Sequence, residues 1–252
     1  MMKNSCIFRA GTSGLVLAER NKQAFPEAWR NKSRLAWYAA QFNTVEVNSS
    51  FYKVPMAATF TKWSNIVPEA FQFTLKLWRG ITHNRAFEFN PEDIDQFMKA
   101  ANCIGRKKGC LLIQLPPSAT LSKVDRLEKI LERVQMNQSI PIWKIAVEFR
   151  HPSWYTETAA GVLKKYNAAI VCHDMPVSGT MTPSKHGDFV YLRFHGVRGD
   201  YKGSYSTPLL EEYAGKIRSW LQEGKDVYAY FNNTIGDAVA NLKTLIRLVD
   251  PP

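Results

Sequence analysis

Glu46, Lys76, Gln114, Glu148, Arg150, Asp174, Arg193, His195 and Asn232 stand at or just beyond the ends of short apolar or β-branched runs. Side chains alternate across a strand, so residues two apart share a face. In Thr44–Asn48, Glu46 and Asn48 oppose Val45 and Val47. In Phe71–Lys76, Gln72, Thr74 and Lys76 oppose Phe71, Phe73 and Leu75. Ala146, Glu148 and Arg150 share one further face, Tyr191, Arg193 and His195 another, and Tyr228, Tyr230 and Asn232 a third.

Carboxylates in differently charged surroundings can have their pKa values pushed apart, leaving one as general acid and one as base, and Glu46 and Glu148 are the candidates. Lys76 and Arg150 would hold neighbouring charges in check or clamp an anionic substrate. Arg193 and His195, two apart on one strand, make a phosphate or oxyanion grip. Asn48, Gln114 and Asn232 suit hydroxyl or base-edge recognition, and His83 follows the third strand in a loop. The bland alternative is a salt-bridge network that fills the interior and satisfies itself, because unpaired buried charge is expensive. Nine such residues near successive strand ends favour a site.

Other chemistries find less support. Glu46, Glu148, Asp174 and His195 could ligate a divalent ion. The chain has five histidines in all, however, and Lys76, Arg150 and Arg193 would oppose a cation, so neither a metal nor a cofactor is expected. Gly11-Thr12-Ser13-Gly14 could cradle an anion but lacks the Lys of a P-loop and the GxGxxG spacing. Ser13 has no His/Asp partner by spacing. The four cysteines (Cys6, Cys103, Cys110 and Cys172) form no CxxC pair and sit in apolar runs, so buried thiols in a reducing cytosol are expected.

The elements that must position these residues follow from periodicity. Strands are expected at Cys6–Ala10, Thr44–Asn48, Phe71–Lys76, Gly109–Leu115, Lys144–Phe149, Ala168–Asp174, Phe189–His195 and Asp226–Asn232. Between and after them lie helical patterns at Ser33–Phe42, Met56–Ile66, Pro91–Ile104, Leu121–Val134, Thr156–Tyr166, Pro208–Glu223 and Gly236–Val249. Between His173 and Phe189, Pro176, Gly179, Pro183 and Gly187 predict a loop in place of a sixth helix. Strict alternation implies parallel pairing. Eight strands with polar ends predict a TIM-like (β/α)8 barrel, whose C-terminal mouth gathers the polar residues, over an open doubly wound sheet. No linker divides the 252 residues, so one domain over 1–252 is expected.

Charge and composition narrow the partners. Thirty-three Lys and Arg against 22 Asp and Glu leave a formal charge of +11, which favours anionic partners. No run is apolar enough to span a bilayer and the N-terminus lacks a signal-peptide pattern, so a cytoplasmic protein without membrane partners is expected. Arg79, Arg85, Arg198 and Lys202 recur in loops after strands, amid Trp78, Tyr201 and Tyr205, which could hold an extruded nucleotide. Much of the remaining positive charge (Arg106-Lys107-Lys108, Arg30 to Arg34, Lys164-Lys165) lies away from the mouth.

Several of these segments carry a resemblance. Gly11-Thr12-Ser13-Gly14, Trp37-Tyr38-Ala39, the run Phe42 to Tyr52, Phe71-Gln72-Phe73-Thr74-Leu75-Lys76 and Ile81-Thr82-His83 resemble the YecE-like family, catalogued as domain of unknown function 72. Gln114-Leu115-Pro116-Pro117, Val147-Glu148-Phe149-Arg150-His151, Ser153-Trp154, Arg193-Phe194-His195-Gly196 and Phe231-Asn232-Asn233 extend it over nearly the whole chain. The resemblance implies a TIM-like barrel and no particular reaction; likeness to barrel enzymes acting on sugars or abasic DNA is analogy of fold. Two departures stand out: Leu15 where the pattern has Trp, and Thr234 where it has Asp. The combined expectation is a metal-independent enzyme (hydrolase, lyase or isomerase) acting on a small phosphorylated or otherwise anionic sugar-like compound. The alternatives are a nucleic-acid-binding or repair protein and a non-catalytic ligand-binding barrel. Oligomeric state is left open.

Overall fold

A computed structural model of the chain describes residues 6–84, 87–184 and 186–250. The elements run β1 (Phe8–Thr12), α1 (Arg34–Ala39), β2 (Thr44–Val47), α2 (Ser49–Tyr52), α3 (Ala57–Ile66), β3 (Gln72–Lys76), α4 (Arg79–Thr82), α5 (Pro91–Ala101) and β4 (Lys108–Gln114). They continue with α6 (Val124–Met136), β5 (Lys144–Glu148), α7 (Glu157–Lys165), β6 (Ala168–His173), β7 (Phe189–Phe194), α8 (Thr207–Gln222), β8 (Asp226–Phe231) and α9 (Ala238–Val249). Local signals start several helices. Asn90 accepts from the Glu92 N–H at 3.1 Å ahead of Pro91, and Ser33 accepts from the Ala36 N–H at 3.0 Å. α6 buries Leu127, Ile130, Leu131 and Val134, the stripe that its sequence spacing requires.

Strands β2 to β8 pair in sequence order, all parallel, and β8 pairs with β1. The seam between β1 and β2 carries a single bridge, Ser13 to Glu46, with the Gly14 N–H donating to the Glu46 carbonyl at 2.7 Å. Side chains complete the closure. Asn43 accepts from the Ala10 N–H at 3.1 Å and donates to the Phe8 carbonyl at 3.0 Å, while the Tyr38 hydroxyl accepts from the Thr12 N–H at 2.7 Å. A Cβ on Gly11 would lie 2.2 Å from the Thr44 carbonyl oxygen, so only glycine admits this approach. The result is a TIM-like (β/α)8 barrel with no helix between β6 and β7 among the described residues, as the turn residues predict.

The sheet separates two apolar clusters. Outward residues such as Val45, Phe73, Leu111, Val147, Leu192 and Phe231 pack beneath the helices. Inside, Cys110, Leu112, Ala146, Val171, Tyr191, Tyr228 and Tyr230 form a plug. The Tyr230 hydroxyl sits 2.8 Å from Thr44 Oγ1 and 2.6 Å from Thr74 Oγ1, so the plug's buried polar atoms are paired. Above it lies the charged layer.

Some boundaries differ from expectation. β1 starts two residues later than predicted and runs through Gly11 and Thr12, because β8 continues to pair as far as Phe231. Helices α2 and α4, four residues each, were not foreseen, being too short for a periodic signal. Cys110 and Cys172 are buried, whereas Cys103 is exposed and Cys6 half-buried. Among the described residues no helix is long and apolar enough to cross a membrane.

Candidate functional site

The charged layer is built around Arg193, carried inward on β7. Its Nε lies 3.1 and 3.0 Å from the two Glu46 carboxylate oxygens, and Nη2 donates to Glu46 Oε1 at 2.7 Å. Nη1 donates to Glu148 Oε2 at 2.8 Å. One guanidinium thus joins two carboxylates from β2 and β5, all three side chains being buried. Glu46 also accepts from the Ser13 and Tyr191 hydroxyls, and Glu148 from Arg150 Nε. Burial pushes the Glu46 carboxyl up, but the charge and hydrogen bonds of Arg193, then the hydroxyls, leave it below its ordinary value. Glu148 is likewise opposed by burial, yet Arg150 and Arg193 hold it well below. Burial opposes the Arg193 charge too, and the two glutamates hold it more firmly protonated. The two carboxyls are thus shifted in the same direction and not apart. Each glutamate faces a guanidinium, so both stay ionised and neither is poised as an acid.

His195, two residues on, is locked neutral by what surrounds it. Its Nε2 lies 3.0 Å from Arg150 Nη2 and 3.1 Å from Arg193 Nη1. Guanidinium nitrogens only donate, so Nε2 accepts and the ring proton resides on Nδ1, 3.4 Å from Asp174 Oδ1. Burial is the main cause that brings the His195 pKa down to about 4. Asp174 accepts the His195 backbone N–H at 2.8 Å and the Tyr205 hydroxyl. It stands behind His195 and does not line the cavity, because residues 169, 171 and 173 take the inward face of β6, leaving His173 in that slot.

Lys76 supplies the third cation. Nζ donates to Gln114 Oε1 at 2.6 Å and sits 3.9 Å above the Phe51 ring. Burial, then the charge of Arg193, brings its pKa down to about 7. His83 Nε2 lies 3.3 Å from the Gln114 amide nitrogen, and its ring meets Phe51 edge-on. Burial and the Lys76 charge bring His83 down to about 4. The short helices α2 and α4 deliver Phe51 and His83 to these positions.

These groups surround a cavity of about 160 Å³ at the C-terminal mouth. Its walls include Lys76, Arg150, Arg193 and the amides of Asn48, Gln114 and Asn232, with Phe51, Tyr52 and Tyr201 at the side. Of the residues expected in the site, these six line the cavity. Glu46, Glu148 and His195 lie beneath, His83 contacts it through Gln114, and Asp174 stands outside. Sequence reasoning missed Ser13, Tyr191 and His173 as site residues, while Tyr201, expected at the rim, lines the cavity; β-alternation points to Tyr191 and His173, but nothing local announces the Ser13–Glu46 contact across the seam. Of the rim residues, Tyr205 is buried, its hydroxyl taken up by Asp174, and Arg85 lies outside the described residues.

Among the described residues, Glu148, His173 and His195 bring potential ligand atoms within 4.8 Å of one another. Arg193 and Arg150 donate to both Glu148 and His195 Nε2, so guanidinium N–H groups compete with a cation for these acceptors. His173 Nε2 is 3.0 Å from the Phe149 carbonyl, leaving Nδ1 without a hydrogen-bond partner.

The model of the family described as "Protein of unknown function DUF72" matches residues 9–252. YunF of Bacillus subtilis (strain 168) is 27% identical over 257 residues, covering 90% of each chain. A DUF72 family structure from Enterococcus faecalis V583 superposes with a TM-score of 0.80 at 21% identity, covering 98% of this chain and 96% of that one. Another, from Thermotoga maritima MSB8, gives 0.75 at 25% identity, covering 97% and 99%. With the family model spanning β1 to α9, this chain belongs to the DUF72 family.

Proposed function

We propose that the barrel mouth is the active site of an enzyme acting on a small phosphorylated or carboxylated sugar-like compound. The observation that carries this reading is the layering of charge. Lys76, Arg150 and Arg193 face the cavity while Glu46 and Glu148, the counter-anions of the two arginines, are buried beneath, and Gln114 holds Lys76, so an incoming anion meets cations already held in place. Asn48, Gln114 and Asn232 offer hydrogen bonds to hydroxyls, which suits a polyol.

The division of labour follows from protonation. Glu46 and Glu148 are positioning residues that aim two guanidiniums. Neutral His195 fixes the same two from behind through its Nε2 lone pair. Lys76 lines the cavity with a pKa of about 7, so it exists in both forms near neutrality and is the group suited to take up and return a proton. Arg150 and Arg193 would stabilise the negative charge that develops on substrate oxygen. Proton transfer at carbon beside a carbonyl, the chemistry of an isomerase or lyase, fits this set.

The test is proton exchange in D₂O, followed by NMR, with a panel of aldose and ketose phosphates. Exchange of a carbon-bound proton that Lys76→Met abolishes and Arg150→Ala slows supports the reading. Saturable binding without exchange would indicate a non-catalytic ligand-binding barrel. If no sugar phosphate binds while a duplex with an abasic site binds with a steep salt dependence, the nucleic-acid alternative takes its place.

A further inference from the structure

A second cavity, of about 260 Å³, lies beside the mouth and shares Asn48 with the cationic one. Its walls are apolar: Leu15 from the segment after β1, Leu35 from α1, Val45 and Val47 from β2, Trp63 from α3 and Phe73 from β3. Leu35, Val45 and Phe73 belong to the buried core, whereas Leu15 is 39% exposed and marks the opening. Barrel interiors close-pack, and space of this size between sheet and helices is not needed for the fold. Apolar cavities of about 150 Å³ can hold a benzene ring. Nothing in this cavity can neutralise charge, whereas the neighbouring one is walled mainly by cations and amides, with Phe51, Tyr52 and Tyr201 at one side.

The two cavities share one lining residue, Asn48, just beyond the end of β2, and their chemistries are complementary. Resting on the anion-binding reading above, we infer that the ligand is an organic anion with an apolar substituent. Its phosphate or carboxylate lies against Lys76, Arg150 and Arg193, and an aryl or short branched alkyl group enters the pocket behind Leu15. Asn48 stands between the halves, where it can hydrogen-bond the polar atoms that join them. Burying a ring there removes apolar surface from water, which adds affinity without any new charge contact.

Calorimetric titration of the full chain with inorganic phosphate, glycerol 1-phosphate and phenyl phosphate tests this directly. Phenyl phosphate is expected to bind at least tenfold more tightly than glycerol 1-phosphate. Leu15→Trp, which fills the opening, should erase that preference, and Leu15→Ala should keep it; circular dichroism checks that both variants fold. Equal affinity for the two esters, or a preference that survives Leu15→Trp, overturns the apolar subsite while leaving the anion site standing. Failure of all three phosphates to bind overturns both.

Discussion

Arg193 meets Glu46 side-on, with Nε 3.0 Å from one carboxylate oxygen and Nη2 2.7 Å from the other. The pair spans the barrel from β7 to β2, and the remaining amine of the same guanidinium reaches Glu148 on β5 at 2.8 Å. Three strands distant in sequence are therefore tied by one side chain in a buried layer. Removing that cation leaves the buried Glu46 with hydroxyl donors alone and Glu148 with Arg150 as its remaining guanidinium partner. Arg193→Met is expected to lose about 3–5 kcal/mol of stability and to lower the melting temperature by about 10 °C, measured by urea and thermal unfolding. A loss below about 1 kcal/mol would show that the layer is hydrated and weakly coupled.

Acid should find the same layer. Both glutamates are held below their ordinary value, so near pH 4 the unfolded chain binds more protons than the folded one. Their contribution is complete above the unfolded value of about 4.3 and is lost as pH falls through the folded values. Stability of the wild type should therefore drop below about pH 4.3, and Glu148→Gln should show a shallower dependence. Identical slopes for the two proteins would contradict this assignment.

His195 and His83 should stay neutral well below the usual histidine range, each brought down to about 4, with burial as the main cause. The folded state then binds fewer protons than the unfolded state between about pH 4 and the ordinary value of about 6.5, so stability rises with pH across that window. Nitrogen-detected NMR should find the His195 proton on Nδ1 at pH 6. A ring that titrates near pH 6.5, or a proton on Nε2, would mean that Arg150 and Arg193 do not share its lone pair.

Anion affinity should carry the signature of Lys76. Its pKa of about 7 means that the ammonium loses its proton as pH rises past neutrality, while a phosphate monoester, with a second pKa of about 6, is by then doubly charged. Phosphate-ester binding should weaken between pH 7 and 9 in the wild type, stay flat in Lys76→Gln and persist to higher pH in Lys76→Arg. Isothermal titration at fixed ionic strength reads all three. A wild-type affinity that does not change with pH would remove Lys76 from the binding face.

Closure of the barrel rests on side chains where the β1–β2 ladder is missing. Tyr38→Phe takes away the hydroxyl that accepts the Thr12 N–H and leaves that donor buried without a partner. A cost of about 1–3 kcal/mol is expected from denaturant unfolding. A neutral substitution would mean that the single bridge and Asn43 suffice.

Much of this was legible in the chain. Alternation alone put Glu46, Lys76, Glu148, Arg193 and Asn232 on inward faces, because helices cover the outside and leave the polar face nowhere else to go. The loop between β6 and β7 was written in Pro176, Gly179, Pro183 and Gly187. Asp174 was misplaced for want of one step of the same rule, since counting back from His173 through Val171 gives the inward slot to the histidine. What the sequence withheld was who pairs with whom. That two carboxylates share one guanidinium, and so both stay ionised, depends on three strands converging, and no spacing encodes it. The Ser13–Glu46 contact exists only because the barrel closes, and α2 and α4 are too short to announce themselves.

If Lys76, Arg150 and Arg193 form the proposed anion site, inorganic phosphate should find it. Titrating inorganic phosphate at pH 7 and fixed salt into wild type, Arg150→Ala and the surface variant Arg106→Ala separates the site from the general positive charge. Saturable one-to-one binding that Arg150→Ala weakens at least tenfold and Arg106→Ala leaves unchanged is the predicted result. No saturable binding, or equal weakening by both variants, would mean that the three cations form no anion site.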